Sequence, residues 1–508
     1  MNLFEKGISA LAPRWAYRRA QFRQALAAYE GAKPSRLRKT GADNSSGDVV
    51  VGKSGDALRG YARQLEQNYD IAKGVLDVLV NNTIGAGGIS WDPQPRTRSG
   101  KVDTDFAKQL TDLWADFALH PEVTGEMEYA AAERLANRTW FRDGEVLVQM
   151  LKGRIPSLDH GTRVPFSFEL IEADLLPFSL DDEKRGITQG VERNDWGKPR
   201  AYHIYKKHPG GNSYTYYLDT KRVSADRMIH PKIVARIKQA RGVSVFASVM
   251  RRLEDLKDYE ESERIAARVA AALTGFIKKG QSENYTAPDD GETNRLFSMK
   301  PGMVFDGLKE GEDVGTIDSN RPSGLLTPFH DAMLRFTAAG TGAGYSSISR
   351  NYNGTYSAQR QELVETRVNY EVLTGLWISQ FSRPIRRRFT DMCIASGLVK
   401  VPRNLDIHTL YDADYRGPAM PWIDPEKEAK ANKMLERCGY KSAQQVIRER
   451  NGNPRTVMDQ ISEWRKNANQ LDLVFESDPA HDKTETESPL TEGLSTSGDE
   501  ENDDVKKD

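Results

Sequence analysis

Between Gly242 and Gly275 the chain runs for 32 residues, Val243 to Thr274, without a glycine or a proline. As a single helix this stretch reaches roughly 48 Å at about 1.5 Å per residue. Its apolar residues form a narrow stripe: Val249, Leu253, Leu256, Tyr259, Val269 and Leu273, continued by Phe276. Between them lies the segment 251–261, nearly all charged. A helix so long and so polar does not belong in the core of a monomer. It suits packing edge to edge against other helices with a wet face left over. A long solvated surface helix satisfies the same pattern, so the pattern alone leaves both readings open.

The rest of the chain sets the frame for that helix. Its 508 residues suggest about three domains, or one core with elaborations. Lys and Arg number 72 and Asp and Glu 73, a net charge of −1, which excludes a globally basic nucleic-acid coat and a globally acidic mimic. Apolar residues make up 38%, enough to bury a core. Two cysteines, Cys393 and Cys438, exclude a disulfide framework and point to a reducing compartment. No window approaches a membrane span, and the N-terminus lacks the apolar run of a signal peptide.

Charge is uneven. Residues 1–39 carry nine Lys and Arg against two Glu, and the stretch 3–28 reads as a basic amphipathic arm. Residues 476–508 carry three Lys against twelve Asp and Glu, with almost no large apolar side chain, and are expected to be disordered. Residues 31–55 read as a loose link. Apolar spacing predicts helices at 55–84, 103–120 and 126–141, the first stopped by Gly85-Ala-Gly-Gly88. Short β-type runs follow at 145–150, 166–171, 190–192, 201–205 and 213–218, giving an α+β first half. Beyond the long helix, 278–327 reads as a small β-containing insertion that includes 303–305. Next come a short helix at 329–339, a Gly-rich loop at 340–355, a long helix at 356–396 bent near Pro384, and helices within 416–475.

No catalytic constellation appears. Gly47-Asp-Val-Val-Val-Gly-Lys-Ser54 fits the P-loop pattern, but the loop needs a buried strand before it, and here a polar stretch precedes it. The eight histidines are scattered; His203 and His208 lie on a strand and turn, and His230 reads as a turn or buried polar residue. Neither a dinucleotide fingerprint nor a nucleophile elbow is complete. Arg383-Pro-Ile-Arg-Arg-Arg388 is a basic patch that reads equally as a phosphate contact or as a solvated helix end.

Six segments, taken in order, resemble the lambda-type portal proteins of tailed bacteriophages. They are Arg63-Gln-Leu-Glu-Gln-Asn-Tyr-Asp-Ile-Ala72 running into Leu79–Gly87; Trp140-Phe-Arg-Asp-Gly-Glu145; Val191–Tyr202; Ile229-His230 with Gln239–Phe246; Asn353-Gly-Thr-Tyr-Ser-Ala-Gln-Arg360; and Trp422-Ile-Asp-Pro-Glu-Lys-Glu-Ala429. Together they cover about 55–470.

The resemblance implies a portal fold assembled as a ring, usually of twelve subunits, at one capsid vertex. Such a ring would be a channel for viral DNA packaging and ejection and not an enzyme, and would take no cofactor and no metal. Transferred to this chain, it implies an N-terminal arm and linker at 1–54, a wing at 55–242, a first stem helix at 243–278 and a clip at 279–326. A second stem helix follows at 327–343, then a tunnel loop at 344–357, a long wing helix at 358–415, an α-helical crown at 416–475 and the acidic tail at 476–508. Asn351, Tyr352 and Asn353 would face passing DNA with neutral polar groups. Glu254, Asp255, Asp258, Glu260 and Glu261 would repel phosphates from the stem wall, or serve merely as a solvated face or subunit ion pairs. Arg386, Arg387 and Arg388 are the phosphate-contact candidates. The implied partners are further copies of the chain, the terminase large subunit, head-completion and connector proteins, major capsid and scaffold proteins, and double-stranded DNA without sequence readout; no membrane is implied. Two rival readings are a P-loop nucleotidase or motor using Lys53, and a monomeric DNA-binding module using the basic arm and Arg383–Arg388.

Overall fold

The computed structural model describes residues 44–211, 219–271, 275–279, 312–316, 326–420 and 424–475. The expected arm at 1–39, the strand at 213–218, the run 303–305 and the acidic tail lie outside them. The chain divides into two units, 1–418 and 419–508.

Among the described residues the first unit opens with α1, Gly47–Asn68, and α2, Asp70–Thr83. Ser46 caps α1, its hydroxyl accepting from the Val49 amide. The Gly47–Ser54 pattern is therefore the first two turns of a helix and not a phosphate-cradling loop. The expected link at 31–55 is corrected with it: the folded unit takes over at the Ser46 cap. The single helix expected at 55–84 breaks at Tyr69, whose extended backbone turns its ring into the core.

Strand β1 (Ser90–Pro93), α3 (Thr104–Phe117) and α4 (Tyr129–Asp143) follow. On α3, Phe106, Leu110, Leu113 and Phe117 are buried, the face their spacing predicts. Then come β2 (Leu147–Lys152), β3 (Phe166–Ile171), β4 (Ile187–Thr188), β5 (Val191–Arg193), β6 (Pro199–Tyr205), β7 (Thr220–Ser224) and β8 (Met228–Ile229). Strands β3-β2-β8 form one antiparallel sheet and β4-β5-β6-β7 another. A small second core, Leu147, Val191, Tyr202, Ile204 and Val223, fills the space under the four-stranded sheet.

The long Gly- and Pro-free stretch is not one helix. A 3₁₀ turn at Val245–Ser248 precedes α5, Met250–Ala271, and strand β9, Gly275–Lys279, follows. The expected first stem helix at 243–278 is thus shorter at both ends. Strand β9 pairs antiparallel with β10, Glu312–Thr316, so the segment between α5 and the next helix is closed by a two-stranded ladder. Helix α6 is Leu326–Thr341, and the expected loop at 340–355 contains the five-residue helix α7, Tyr345–Ser349.

Helix α8 (Tyr356–Trp377) continues through a π-type turn, Ile378–Ser382, into α9 (Arg383–Ala395). Pro384 has no N–H for the carbonyl four residues back, and the wider turn absorbs that missing bond. Strand β11, Ala413–Arg416, pairs with β1 and so belongs to the first unit, not to a crown starting at 416. The main core joins α2, α3, α4, α8 and α9. At its centre Trp377 stacks on Phe381 at 4.5 Å and tilts against Trp140 at 5.5 Å. The second unit holds α10 (Pro425–Arg437), α11 (Ala443–Glu449) and α12 (Pro454–Gln470).

One buried ionic centre ties these layers to the start of α5. Glu145, just after α4, accepts from Arg241 at 2.6 and 2.9 Å, from the Gly242 amide at 2.8 Å and from His230 at 2.9 Å. Arg241 is fully buried, lies 3.9 Å over the Phe178 ring and donates to the carbonyls of Ala173, Leu176 and Gln189. Burial alone would raise the Glu145 carboxyl, but the Arg241 charge and the His230 bond hold it well below the usual carboxylate range. Burial pushes His230 down to about 4 against the pull of Glu145, so its imidazole is neutral and donates. Beside this centre Gly144 (φ +87) crosses Gly242 and Val243 so closely that a Cβ would stand 2.2 Å from the Val243 carbonyl carbon.

Two outcomes follow from this junction. Gly144→Ala places that methyl into backbone and forces a positive φ on alanine; we expect a loss of more than about 3 kcal/mol in chemical denaturation. His230 is neutral when folded and protonates near 6.5 when unfolded, so the unfolded state binds the extra proton as pH falls from 6.5 towards 4. Stability should fall across that window by roughly 3 kcal/mol, and His230→Gln should flatten the slope in denaturation curves taken at stepped pH.

Candidate functional site

The two stem-type helices and the loop after them form the region to which the sequence assigned function. Helix α5 packs through Leu253 and Leu256, both fully buried, while Tyr259 meets Phe329 of α6 edge-on at 4.8 Å. Glu260 faces inward, accepting from His330 at 2.9 Å and from Tyr69 at 3.4 Å. It therefore crosses between helices instead of facing a channel. Gly340 on α6 lets the two helices close, since a Cβ there would stand 2.3 Å from Val249. The remaining acidic candidates, Glu254, Asp255, Asp258 and Glu261, are all exposed. Glu254, Asp258 and Glu261 are spaced four and three apart, so they share one face, opposite the packed one. Arg251 and Arg268 border that face and are also exposed, so the wall is mixed in charge.

The loop is built on α8. Gly342 turns the chain at φ +75, and its carbonyl accepts from Asn369 at 2.8 Å. The Gly344 amide donates to the Tyr370 hydroxyl at 3.1 Å. Glu362 accepts from both the amide and the hydroxyl of Ser346, at 2.8 and 2.5 Å. Five residues of the expected loop are thereby held as α7, and the free part shrinks to 350–355. There Asn351 is half-buried and accepts from the Asn353 amide at 3.1 Å, whereas Asn353 and Tyr352 are exposed, Tyr352 at 57%. Gln359 donates to the Tyr352 carbonyl and closes the turn. Thr355 then caps α8.

Sequence reasoning missed three neighbours of these residues. Arg350 is exposed in the left-handed region at φ +55, and exposed Arg360 donates to the exposed Tyr356 hydroxyl at 3.2 Å. The loop therefore carries two cations beside its neutral groups. The signal was the Arg350…Arg360 spacing across the Asn-Tyr-Asn-Gly turn, legible only once both ends are known to be uncovered.

The Arg386–Arg388 group does not act as one patch. Arg386 is 3% exposed, lies 3.2 Å from the Trp114 ring centre and 4.6 Å from that of Tyr129, and donates to the Ile89 carbonyl. It is a core residue and is withdrawn as a phosphate contact. Arg388 pairs with Asp391 at 3.2 Å. Arg387 lies over the Tyr411 ring with its side chain exposed. The histidines are likewise engaged: His203 with Glu192 at 3.3 Å and His208 with Glu172 at 3.0 Å. Ligand atoms of His208, Glu172 and Asp174 lie within 4.8 Å of one another, but Asp174 already binds Arg59 and Arg63. No helix among the described residues is long and apolar enough to cross a membrane.

A probable portal protein of Halomonas phage phiHAP-1 is 26% identical over 454 residues, spanning 86% of this chain and 85% of that protein. Portal protein B of Escherichia phage lambda is 23% identical over 209 residues, 36% of this chain and 39% of its own length. Among solved structures, a chain from the neck of a native GTA particle computed with C12 symmetry aligns over 80% of this chain and 93% of its own, with 14% identity and a TM-score of 0.43. The family described as phage portal protein, lambda family, matches residues 33–373, two thirds of the sequence. The α+β architecture agrees with that match, and this chain belongs to the lambda family of phage portal proteins.

Proposed function

We propose that copies of this chain close into a ring, of about twelve subunits as in its family, at one vertex of a capsid. Viral DNA is packaged and ejected through its axis. The observation that carries the ring is the outer face of α8. Its inner face buries Tyr370, Thr374 and Trp377. Opposite them Val364, Val368, Val372 and Leu376 repeat every four residues at 49, 60, 58 and 44% exposure. Covering such aliphatic groups is worth about 1–2 kcal/mol each. A helix with two apolar faces is suited to lie between layers, and in a cyclic assembly the second layer is the next copy.

On this reading α5 and α6 are the stem, the β9–β10 ladder belongs to the clip, and the second unit forms the crown. Residues 350–355 are the tunnel loop, presenting Tyr352 and Asn353 with Arg350 beside them to passing DNA. Phosphate contacts are independent of sequence, so such a loop holds the duplex without reading it. The exposed acidic face of α5 keeps phosphates off the wall. The clip is the seat of the terminase large subunit and later of head-completion proteins, and the wing meets capsid and scaffold proteins. The role is that of a virion component that moves DNA and makes or breaks no bond itself.

Val368→Asp with Val372→Asp should leave the secondary structure of the isolated chain intact by circular dichroism and abolish rings in negative-stain images. Persistent rings would remove α8 as the contact, and a wild-type protein that never forms annuli would end the ring reading. Replacing Asn351–Gly354 by Gly-Ser linkage should leave rings intact while packaged DNA per particle drops. Full-length genomes at normal yield would refute the loop assignment.

A further inference from the structure

Two loops of the first unit carry large apolar side chains outward beside each other. Trp196 is 85% exposed in the β5–β6 turn, and Ile237, at 96%, is the most exposed large apolar residue among those described. Arg193 bridges the loops by donating to the Lys238 carbonyl at 2.7 Å, and Gly197 lies against the Lys238 side chain.

Neither loop is slack. In the first, the Asn194 side chain accepts from the amides of Trp196 and Lys198 at 3.1 and 2.8 Å. In the second, buried Gln239 accepts from the amides of Ala235 and Arg236 and donates to the Arg241 carbonyl at 2.7 Å. Lys232 caps the carbonyls of Gln239 and Ala240 at 2.8 and 2.7 Å. The base of the tip is thus continuous with the Arg241 centre, and its backbone needs little ordering on binding. A pre-organised tryptophan with an aliphatic neighbour has the composition and cost structure of an interface hot spot.

The charges around it select the partner. In 194–198 and 234–238 the exposed charged residues are Lys198, Arg236 and Lys238 against Asp195 alone. A nucleic acid would satisfy the cations but leave Ile237, which has neither a ring to stack nor a group to hydrogen-bond. We infer that the Trp196–Ile237 tip is a docking site for an acidic polypeptide segment of another protein, one that places an apolar side chain against Trp196 and Ile237 and carboxylates against Lys198 and Lys238. The inference does not depend on ring closure.

The test places a photo-crosslinking aromatic residue, Trp196→p-benzoylphenylalanine, in the full chain inside cells where the phage assembles, and maps the captured peptide by mass spectrometry. The expected product is a segment of a different protein that is net acidic and carries a large apolar residue within a few positions of the crosslink. A synthetic copy of that segment should bind the purified chain, measured by fluorescence polarisation, and both Ile237→Asp and Lys238→Glu should weaken it by about tenfold or more. Each substitution lies on an exposed side chain, and circular dichroism would check that the fold is kept. Crosslinks to DNA, to another copy of this chain, to its own residues 476–508, to a basic segment or to no protein at all would each overturn the proposal. So would a mapped segment whose binding is indifferent to both substitutions.

Discussion

The bonding of Glu145 inside the first unit is the constraint on which the functional elements depend. A carboxylate so deeply buried is tolerable only because every lone pair is used, by Arg241, His230 and the Gly242 amide. Arg241 in turn gathers three carbonyls from the segment between β3 and β5, so one pair of side chains joins α4, the four-stranded sheet and the approach to α5. Gly144 and Gly242 let the two backbones cross at that point. A helix proposed as part of a stem needs a defined origin. Such a pair contributes little net stability but leaves few alternative positions for the chain it holds, because an unpaired charge there would be costly.

The second support is the long helix α8 with its π-type turn. Buried Glu133 accepts from Trp377, Ser382 and the Ile89 amide, and burial raises its pKa despite those bonds and the nearby Arg386. The turn thus delivers Ser382 to a polar point in an aromatic core. At the other end of the same helix Glu362 holds Ser346 and shortens the free loop. The DNA-facing candidates and the proposed subunit contact therefore share one rigid element. Short free loops on rigid helices hold their geometry better than long ones.

Much of this was legible from residue order. The helices at 104–117 and 129–143 follow directly from apolar spacing, and strands at 147–152, 166–171 and 199–205 from β-type runs between turns. The His230 side chain is buried against Glu145, as its setting suggested. The errors have physical causes. The loose link was carried on to residue 55 because Ser46 was not read as the cap of a helix starting at Gly47. The stretch 243–274 lacks helix breakers, yet absence of a breaker does not oblige a helix. Residues 243–249 are committed instead to the crossing with Gly144 and to the 3₁₀ turn. Arg386 looked like its neighbours because three consecutive arginines differ only in which side of the helix they occupy.

What the sequence determined by itself was family, class and segment order: these rest on local spacing, turn residues and motif succession, all properties of neighbours along the chain. What only the tertiary structure decided was which polar groups are spent inside. Arg241, Arg386, Glu133 and Glu260 carry charges no different in sequence from those of Arg350, Arg360 or Glu254. Their roles separate because burial and partnership depend on residues tens to hundreds of positions away. Whether a charge faces water or another side chain is a property of packing, and packing is not written in local order.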